Sequence, residues 1–171
     1  MRKLTTSLIA ALALVALPAA AFAEAAPEQK SAAQLCQEQK KAIGDVAFKA
    51  LYGTNANKSN AFGKCVSKQN AQADKSHANA AKACADERKT LGEQAFRDKY
   101  GKDNKANAFG KCVSATAQAE IAAQQAATIK AAKACKAERK TLGDAAFKAR
   151  YGTNANKANA FGKCVSKHAR A

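Results

Sequence analysis

The sequence predicts an all-α chain of three tandem disulfide-stapled helical hairpins joined by Ala-rich helical linkers. Three observations carry that expectation. One motif recurs three times, over residues 36–67, 84–114 and 135–166. Each copy holds two cysteines, separated by 29, 28 and 29 residues. Large apolar side chains are scarce: past Ala23, Leu, Ile, Val and Phe together make 17 of 148 residues, and the chain has no Trp. A chain so poor in large apolar groups and so highly charged is expected to stay disordered unless something other than core size holds it. Six cysteines in an even count supply that something.

The first element is a targeting segment, residues 1–23. Arg2 and Lys3 form a basic start, residues 8–17 are uninterrupted and apolar, and Ala21-Phe22-Ala23 offers small residues at both positions that a signal peptidase reads. The apolar run is about ten residues, against about 20 needed to span a bilayer, so cleavage near Ala23 leaves no membrane span. Loss of Arg2 and Lys3 lowers the net charge from +16 to +14. The expected location is outside the cytoplasm, secreted or in the periplasmic or cell-envelope space, where disulfides persist. Residues 24–31 read as a disordered tail.

Repeat 1 covers 32–67, a linker 68–80, repeat 2 81–114, a second linker 115–131, and repeat 3 132–171. The shared pattern is Cys-x-x-Gln/Glu-Lys/Arg-Lys-x-Ile/Leu-Gly-Asp/Glu-x-Ala-Phe-Lys/Arg-x-x-Tyr-Gly, then an Asn/Lys-rich loop, then Asn-Ala-Phe-Gly-Lys-Cys-Val-Ser. The first part reads as one helix, rich in helix formers and free of proline. On a helical wheel Cys135, Leu142, Ala146, Phe147 and Tyr151 share a wide apolar face with Gly143 in its middle. Gly44, Gly92 and Gly143 each cost about 1 kcal/mol against Ala in a helix interior, and close approach of a second helix is the expected reason. The Tyr-Gly pairs at 52–53, 100–101 and 151–152 look like helix stops with Gly in the left-handed position.

Asparagines follow at 57 and 60, 104 and 107, 156 and 159, and one of each pair is expected to cap the second helix. On that helix Phe161, Cys164, Val165 and His168 share a face, as do Phe62, Cys65 and Val66. Threefold repetition selects Cys36–Cys65, Cys84–Cys112 and Cys135–Cys164 from 15 possible connectivities. The second linker lacks Gly and Pro, so a helix is expected to run from 107 to 151, about 65 Å long. The first linker, with Asn70, Asp74, Ser76 and Asn79, is expected to fray or kink.

Catalytic motifs are missing. No Gly-x-Ser-x-Gly, His-Glu-x-x-His or phosphate-cradling glycine loop is present, and no Cys-x-x-Cys pair suggests redox or zinc chemistry. The only histidines, His77 and His168, do not recur between units and read as solvated helix residues. The loop beginning at Gly53 alternates oxygen side chains but has no carboxylate, so capping explains it better than calcium. Neither a catalytic residue, a metal site nor a cofactor is therefore expected.

Positive charge is the remaining signal. Ladders of basic, acidic and basic residues at i, i+4, i+8 occur at Lys41-Asp45-Lys49, Lys89-Glu93-Arg97 and Lys140-Asp144-Lys148, and support a solvated helix face. Other bases recur without an obvious acidic partner: Lys40, Arg88 and Arg139 on the first helix, Lys58, Lys105 and Lys157 in the loop, and Lys64, Lys111 and Lys163 on the second helix. A closed hairpin would cluster the loop and second-helix lysines at one end of each unit, a multivalent arrangement for a polyanion. Between its cysteines, unit three carries the largest net charge, +5, and Lys167 and Arg170 lie just beyond.

The run Tyr-Gly-Thr-Asn-x-Asn-Lys-x-Asn-Ala-Phe-Gly-Lys-Cys-Val-Ser resembles a repeat of small exported proteins of actinobacterial type, across about 95 residues in three units. That resemblance implies an exported address and no activity. The expected function is non-enzymatic: binding anionic polymers or lipid head groups of the cell envelope through the basic loop and second-helix patches. Nucleic acid is disfavoured, because Phe and Tyr are needed inside and cannot stack on bases. The alternative is a structural, self-associating helical spacer, and the remote one an exported hydrolase or redox enzyme. Oligomeric state is not legible from these residues.

Overall fold

The computed structural model describes residues 29–101 and 105–170; the targeting segment and most of the expected tail lie outside the described residues. The described residues form seven helices: α1 (Ala32–Ile43), α2 (Asp45–Tyr52), α3 (Ala61–Leu91), α4 (Glu93–Tyr100), α5 (Ala108–Leu142), α6 (Asp144–Tyr151) and α7 (Ala160–His168). Ser31, expected in the tail, is the N-cap of α1 in a reciprocal capping box with Gln34. The disulfides are Cys36–Cys65, Cys84–Cys112 and Cys135–Cys164, as the repetition predicts.

The expected first helix of each unit is two helices. Gly44, Gly92 and Gly143 take φ of 85°, 80° and 76° with ψ of 157°, 157° and 159°, a region that is essentially glycine-only. Close packing is not their role. A Cβ would meet nothing within 4 Å at Gly92 or Gly143, and at Gly44 only Lys136 Nζ at 3.9 Å. Each glycine ends one helix and starts the next: Gly143 N–H donates to the Arg139 carbonyl, and its own carbonyl accepts from Phe147 N–H, both at 3.0 Å.

The Tyr-Gly stops are also built differently from expectation. Gly53, Gly101 and Gly152 have φ of −70°, −73° and −73°. A Cβ on Gly152 would lie 2.7 Å from the Lys148 carbonyl oxygen and 2.4 Å from Lys157 Cβ, so space excludes a side chain there. The left-handed residues are instead the loop lysines Lys58, Lys105 and Lys157, with Asn107.

The linkers do not separate the units. α3 runs 31 residues straight through 68–80, where fraying was expected, and α5 runs 35 residues through 115–131. At 1.5 Å per residue these are about 46 and 52 Å long. α5 stops at Leu142 rather than continuing to residue 151, because Gly143 turns the chain. The second helix of one unit and the first of the next are thus a single helix. α3 and α5 lie side by side and antiparallel, since Asn79 contacts Glu120 while Cys84 bonds Cys112. Buried Ser76 and Ala80 of α3 and Ala117 of α5 explain why the polar linker stays helical: its small residues form a seam.

α1 lies parallel to α5, with Gln125 Nε2 donating to the Leu35 carbonyl and Lys136 Nζ to that of Ile43. α1, the first half of α3, the last half of α5, and α7 then surround one core that includes Ile43, Phe48, Tyr52, Phe147, Phe161 and Val165 with two of the disulfides. The third disulfide has a separate small core, with Phe96 and Ala108, at the far end of the α3/α5 pair. Three hairpins therefore make two cores: units one and three share one, and unit two stands alone. Leu142, expected on the apolar face, is 37% exposed, and its counterpart Leu91 in unit two is 42% exposed. The glycine turn ends the helix face at that position, whereas the equivalent Ile43 is covered by α5. No described helix is long and apolar enough to cross a membrane.

Candidate anion-binding groove

The loops of units one and three are held by the same brace. Asn60 Oδ1 accepts from Thr54 N–H at 3.0 Å and its Nδ2 donates to Thr54 Oγ1 at 2.7 Å. Asn159 and Thr153 repeat both bonds at 3.0 and 2.7 Å. These asparagines occupy the N-cap position, as expected, but their side chains grip the loop and not the helix N–H groups. Asn107, the third of the set, is left-handed.

The shared core places the two braced loops side by side. Between them lies a groove of about 470 Å³ lined by Tyr52 and Lys58 from unit one, by Lys68 at the start of the first linker, and by Asn154, Lys163 and Ser166 from unit three. Lys163 and Ser166 also line a shallow neighbouring depression with Lys167 and Arg170. Five bases thus follow one continuous surface, and among the described residues neither lining includes a carboxylate. Lys68 Nζ stands 5.6 Å from the Tyr52 ring centroid, a cation–π contact that holds the ammonium at the groove edge. Lys58 Nζ donates to the Gly53 carbonyl at 2.9 Å and keeps donors for a second acceptor.

The other sequence-selected bases divide into two sets. Lys40, Arg88 and Arg139, which show no obvious acidic partner in the sequence, each have one in the fold: Lys40 pairs with Asp45 at 3.0 Å, Arg88 with Glu93 at 3.9 Å and Arg139 with Asp144 at 2.6 Å. The glycine turn between base and acid makes each pair, so a continuous-helix ladder could not reveal it. Lys105 pairs with Asp98. Lys64, Lys111 and Lys157 line neither part of the groove. The expected patch within each unit is therefore replaced by one patch across two units. Lys68 escapes the repeat comparison because it falls in the first linker, although Lys64 and Lys68 are four apart on one helix.

A second recurring constellation surrounds the disulfides. Tyr52 Oη donates to Gln39 Oε1 at 2.5 Å, Tyr100 Oη to Glu87 Oε2 at 2.8 Å, and Tyr151 Oη to Glu138 at 2.8 Å. Burial pushes the Tyr52 phenol up to about 12, against the opposing hydrogen bonds of Gln39 and Gln69. Burial also raises Tyr151, helped by its hydrogen bond to Glu138. Hydrogen bonds from Lys99 and then Tyr100 hold Glu87 below the usual carboxylate range. A half-cystine sulfur lies 3.7, 4.0 and 3.9 Å from the oxygen of Gln39, Glu87 and Glu138 respectively. The signal was present in the sequence: a Gln or Glu three residues after each first cysteine, and a Tyr thirteen residues later. All six cysteines are in disulfides.

Set against protein-family models, curated proteins and solved structures, the chain matches none of them.

Proposed function

We propose that this is a non-enzymatic exported protein that binds an anionic polymer or anionic lipid head groups of the cell envelope in the groove between units one and three. The observation that carries the reading is the joined surface of Lys58, Lys68, Lys163, Lys167 and Arg170, with no carboxylate among the described residues that line it. Several bases elsewhere are offset by acids, as at Asp45, Glu93 and Asp144. Five cations in one strip favour an extended polyanion, whose several charges they neutralise together. The disulfides fit an oxidising compartment, and the segment 1–23 would take the chain there.

The test is binding of the chain from residue 24 onward to a sulfated polysaccharide and to phosphatidylglycerol vesicles across a salt gradient. Affinity should fall steeply with salt through counterion release. Lys68→Glu with Lys163→Glu should lower it at least tenfold, while Lys111→Glu leaves it nearly unchanged. Absence of binding to both probes at low salt would overturn the reading. The structural alternative, a spacer, draws support from the antiparallel α3/α5 pair. It predicts defined oligomers that the double charge reversal leaves intact.

A further inference from the structure

We propose that unit three is a zinc site in waiting: reduction of Cys135–Cys164 releases two thiolates that bind Zn²⁺ together with His168 and Glu138. The sulfurs of Cys135 and Cys164 and a ring nitrogen of His168 all lie within 4.8 Å of one another. Glu138 Oε2 is 3.4 Å from His168 Nε2 and 3.9 Å from Cys164 Sγ. Tetrahedral zinc with bonds of about 2.0–2.3 Å places its ligand atoms about 3.3–3.8 Å apart. The oxygen–nitrogen edge is already of that length, and the oxygen–sulfur edge is close to it.

The donor set belongs to this unit alone among the three. Three residues after the first cysteine stand Gln39, Glu87 and Glu138; four residues after the second stand Gln69, Thr116 and His168. Unit one has two amides there and unit two a single carboxylate. Both close their disulfides and fold without a histidine, so stapling does not call for His168. Helical spacing does the positioning: Cys135 and Glu138 lie at i, i+3 on α5, and Cys164 and His168 at i, i+4 on α7, so each pair shares a face. The reading of His168 as a solvated residue changes accordingly; its ring lies 6.4 Å from that of Tyr151 and its Nε2 faces Glu138.

Entry and charge are also provided for. The sulfurs are buried, but the His168 side chain is 39% exposed and that of Glu138 20%, so an ion approaches from the histidine side. The half-cystines Cys65 and Cys112 belong to helices of 31 and 35 residues, whereas Cys164 is on α7, a helix of nine residues whose displacement would move no long helix. A thiol reductant supplies the two electrons. Two R–SH become R–S–S–R, and the disulfide becomes two Cys–SH. Zn²⁺ then displaces both thiol protons to solvent. Two thiolates and one carboxylate leave the bound set with a charge of about −1, which Arg150, 3.0 Å from Glu138 Oε1, offsets. In the reverse exchange an oxidised disulfide R–S–S–R takes up the two electrons and leaves as two R–SH, the Cys135–Cys164 bond forms again, and Zn²⁺ is released as its two thiolate ligands are consumed.

The test uses the chain from residue 24 onward, reduced by a phosphine and titrated with Co²⁺ and then Zn²⁺, with cysteine alkylation mapped residue by residue. Thiolate-to-cobalt charge-transfer absorption should appear at one equivalent, and Zn²⁺ should protect Cys135 and Cys164 over the other four cysteines. His168→Gln, which installs the residue found in unit one, should weaken zinc by about tenfold or more. Adding Glu138→Gln should remove the preference for unit three. The oxidised chain should show no charge-transfer band. A site formed by unfolded thiols alone would not need His168, so the comparison holds even if the metal-free reduced chain is unfolded. Equal zinc affinity in the His168→Gln chain, equal protection of all three cysteine pairs, or no zinc uptake would each overturn the proposal.

Discussion

Gly92 shows how much a single residue can decide without touching anything. Its φ of 80° with ψ of 157° is nearly closed to any side chain, yet the space where a Cβ would go is empty. Gly92→Ala should therefore cost about 1–3 kcal/mol through backbone strain alone. Gly63 and Gly110 lie inside helices, with equally open surroundings, and Ala there should stabilise by about 0.5–1 kcal/mol. Thermal unfolding of the three variants compares them, and a neutral Gly92→Ala would refute the strain argument. The position of these glycines was legible in the sequence, but their conformation was not, because an unbroken apolar face and a glycine turn share the same spacing there. Tyr52 gives a second test at this scale. Its folded value, about 12, lies above the ordinary phenol value of 10, so the neutral form is the one the fold favours. The stability this provides is complete below pH 10 and is lost as pH rises from 10 towards 12. Tyr52→Phe should remove that part of the alkaline loss, leaving the part due to lysines, as measured by melting temperature against pH.

The short helices α2, α4 and α6 each begin with an acid directly after the glycine: Asp45, Glu93 and Asp144. An acid in the first turn faces the positive end of the helix dipole, and here it also meets a base from the preceding helix. Arg139 grips Asp144 with two bonds, of 2.6 and 2.8 Å. Hydrogen bonding from Arg139 is the main reason the Asp144 carboxyl is held below the usual range. A lowered carboxylate stabilises the fold above its ordinary value and loses that contribution as pH falls through the folded one. Asp144→Asn should thus flatten the acid limb of a melting-temperature profile below about pH 4, and an unchanged limb would show that the pair links nothing. The i, i+4 ladders were half right: Asp45–Lys49 and Glu93–Arg97 pair within one helix. The other partner lies five residues back, across a turn that the helix assumption hid. α3 misled in the opposite direction. Its linker looked breakable from Asn70, Asp74, Ser76 and Asn79, but the small Ser76 packs in the seam with α5, and tertiary burial outweighs weak local propensity.

For the molecule as a whole, equal repeats do not mean equal surroundings. Where unit one places Ala50 and Leu51 against the shared core, unit two has Asp98 and Lys99, which pair with Lys105 and Glu87 on the surface. These substitutions were visible in the aligned units. Their meaning was not, because which units meet depends on α3 folding back antiparallel along α5, a property of two whole helices. The same division predicts how the fold comes apart. Unit two has a core of few residues and one disulfide, while opening unit one or unit three exposes the core they share. Exchange of backbone amides in α4 and in the adjoining ends of α3 and α5 should report a lower opening free energy than exchange in α1 or the last half of α5. Replacing Cys84 and Cys112 by Ser removes a 28-residue constraint, worth roughly 3–4 kcal/mol on the chain-entropy estimate. The loss should appear in the amides of unit two and leave those around Phe48 and Phe147 near their original protection. Replacing Cys36 and Cys65 should instead lower protection in units one and three together, because each is half of the other's core. Uniform loss across all seven helices from either pair would mean that α3 and α5 transmit every opening along their length, and that the two cores melt as one.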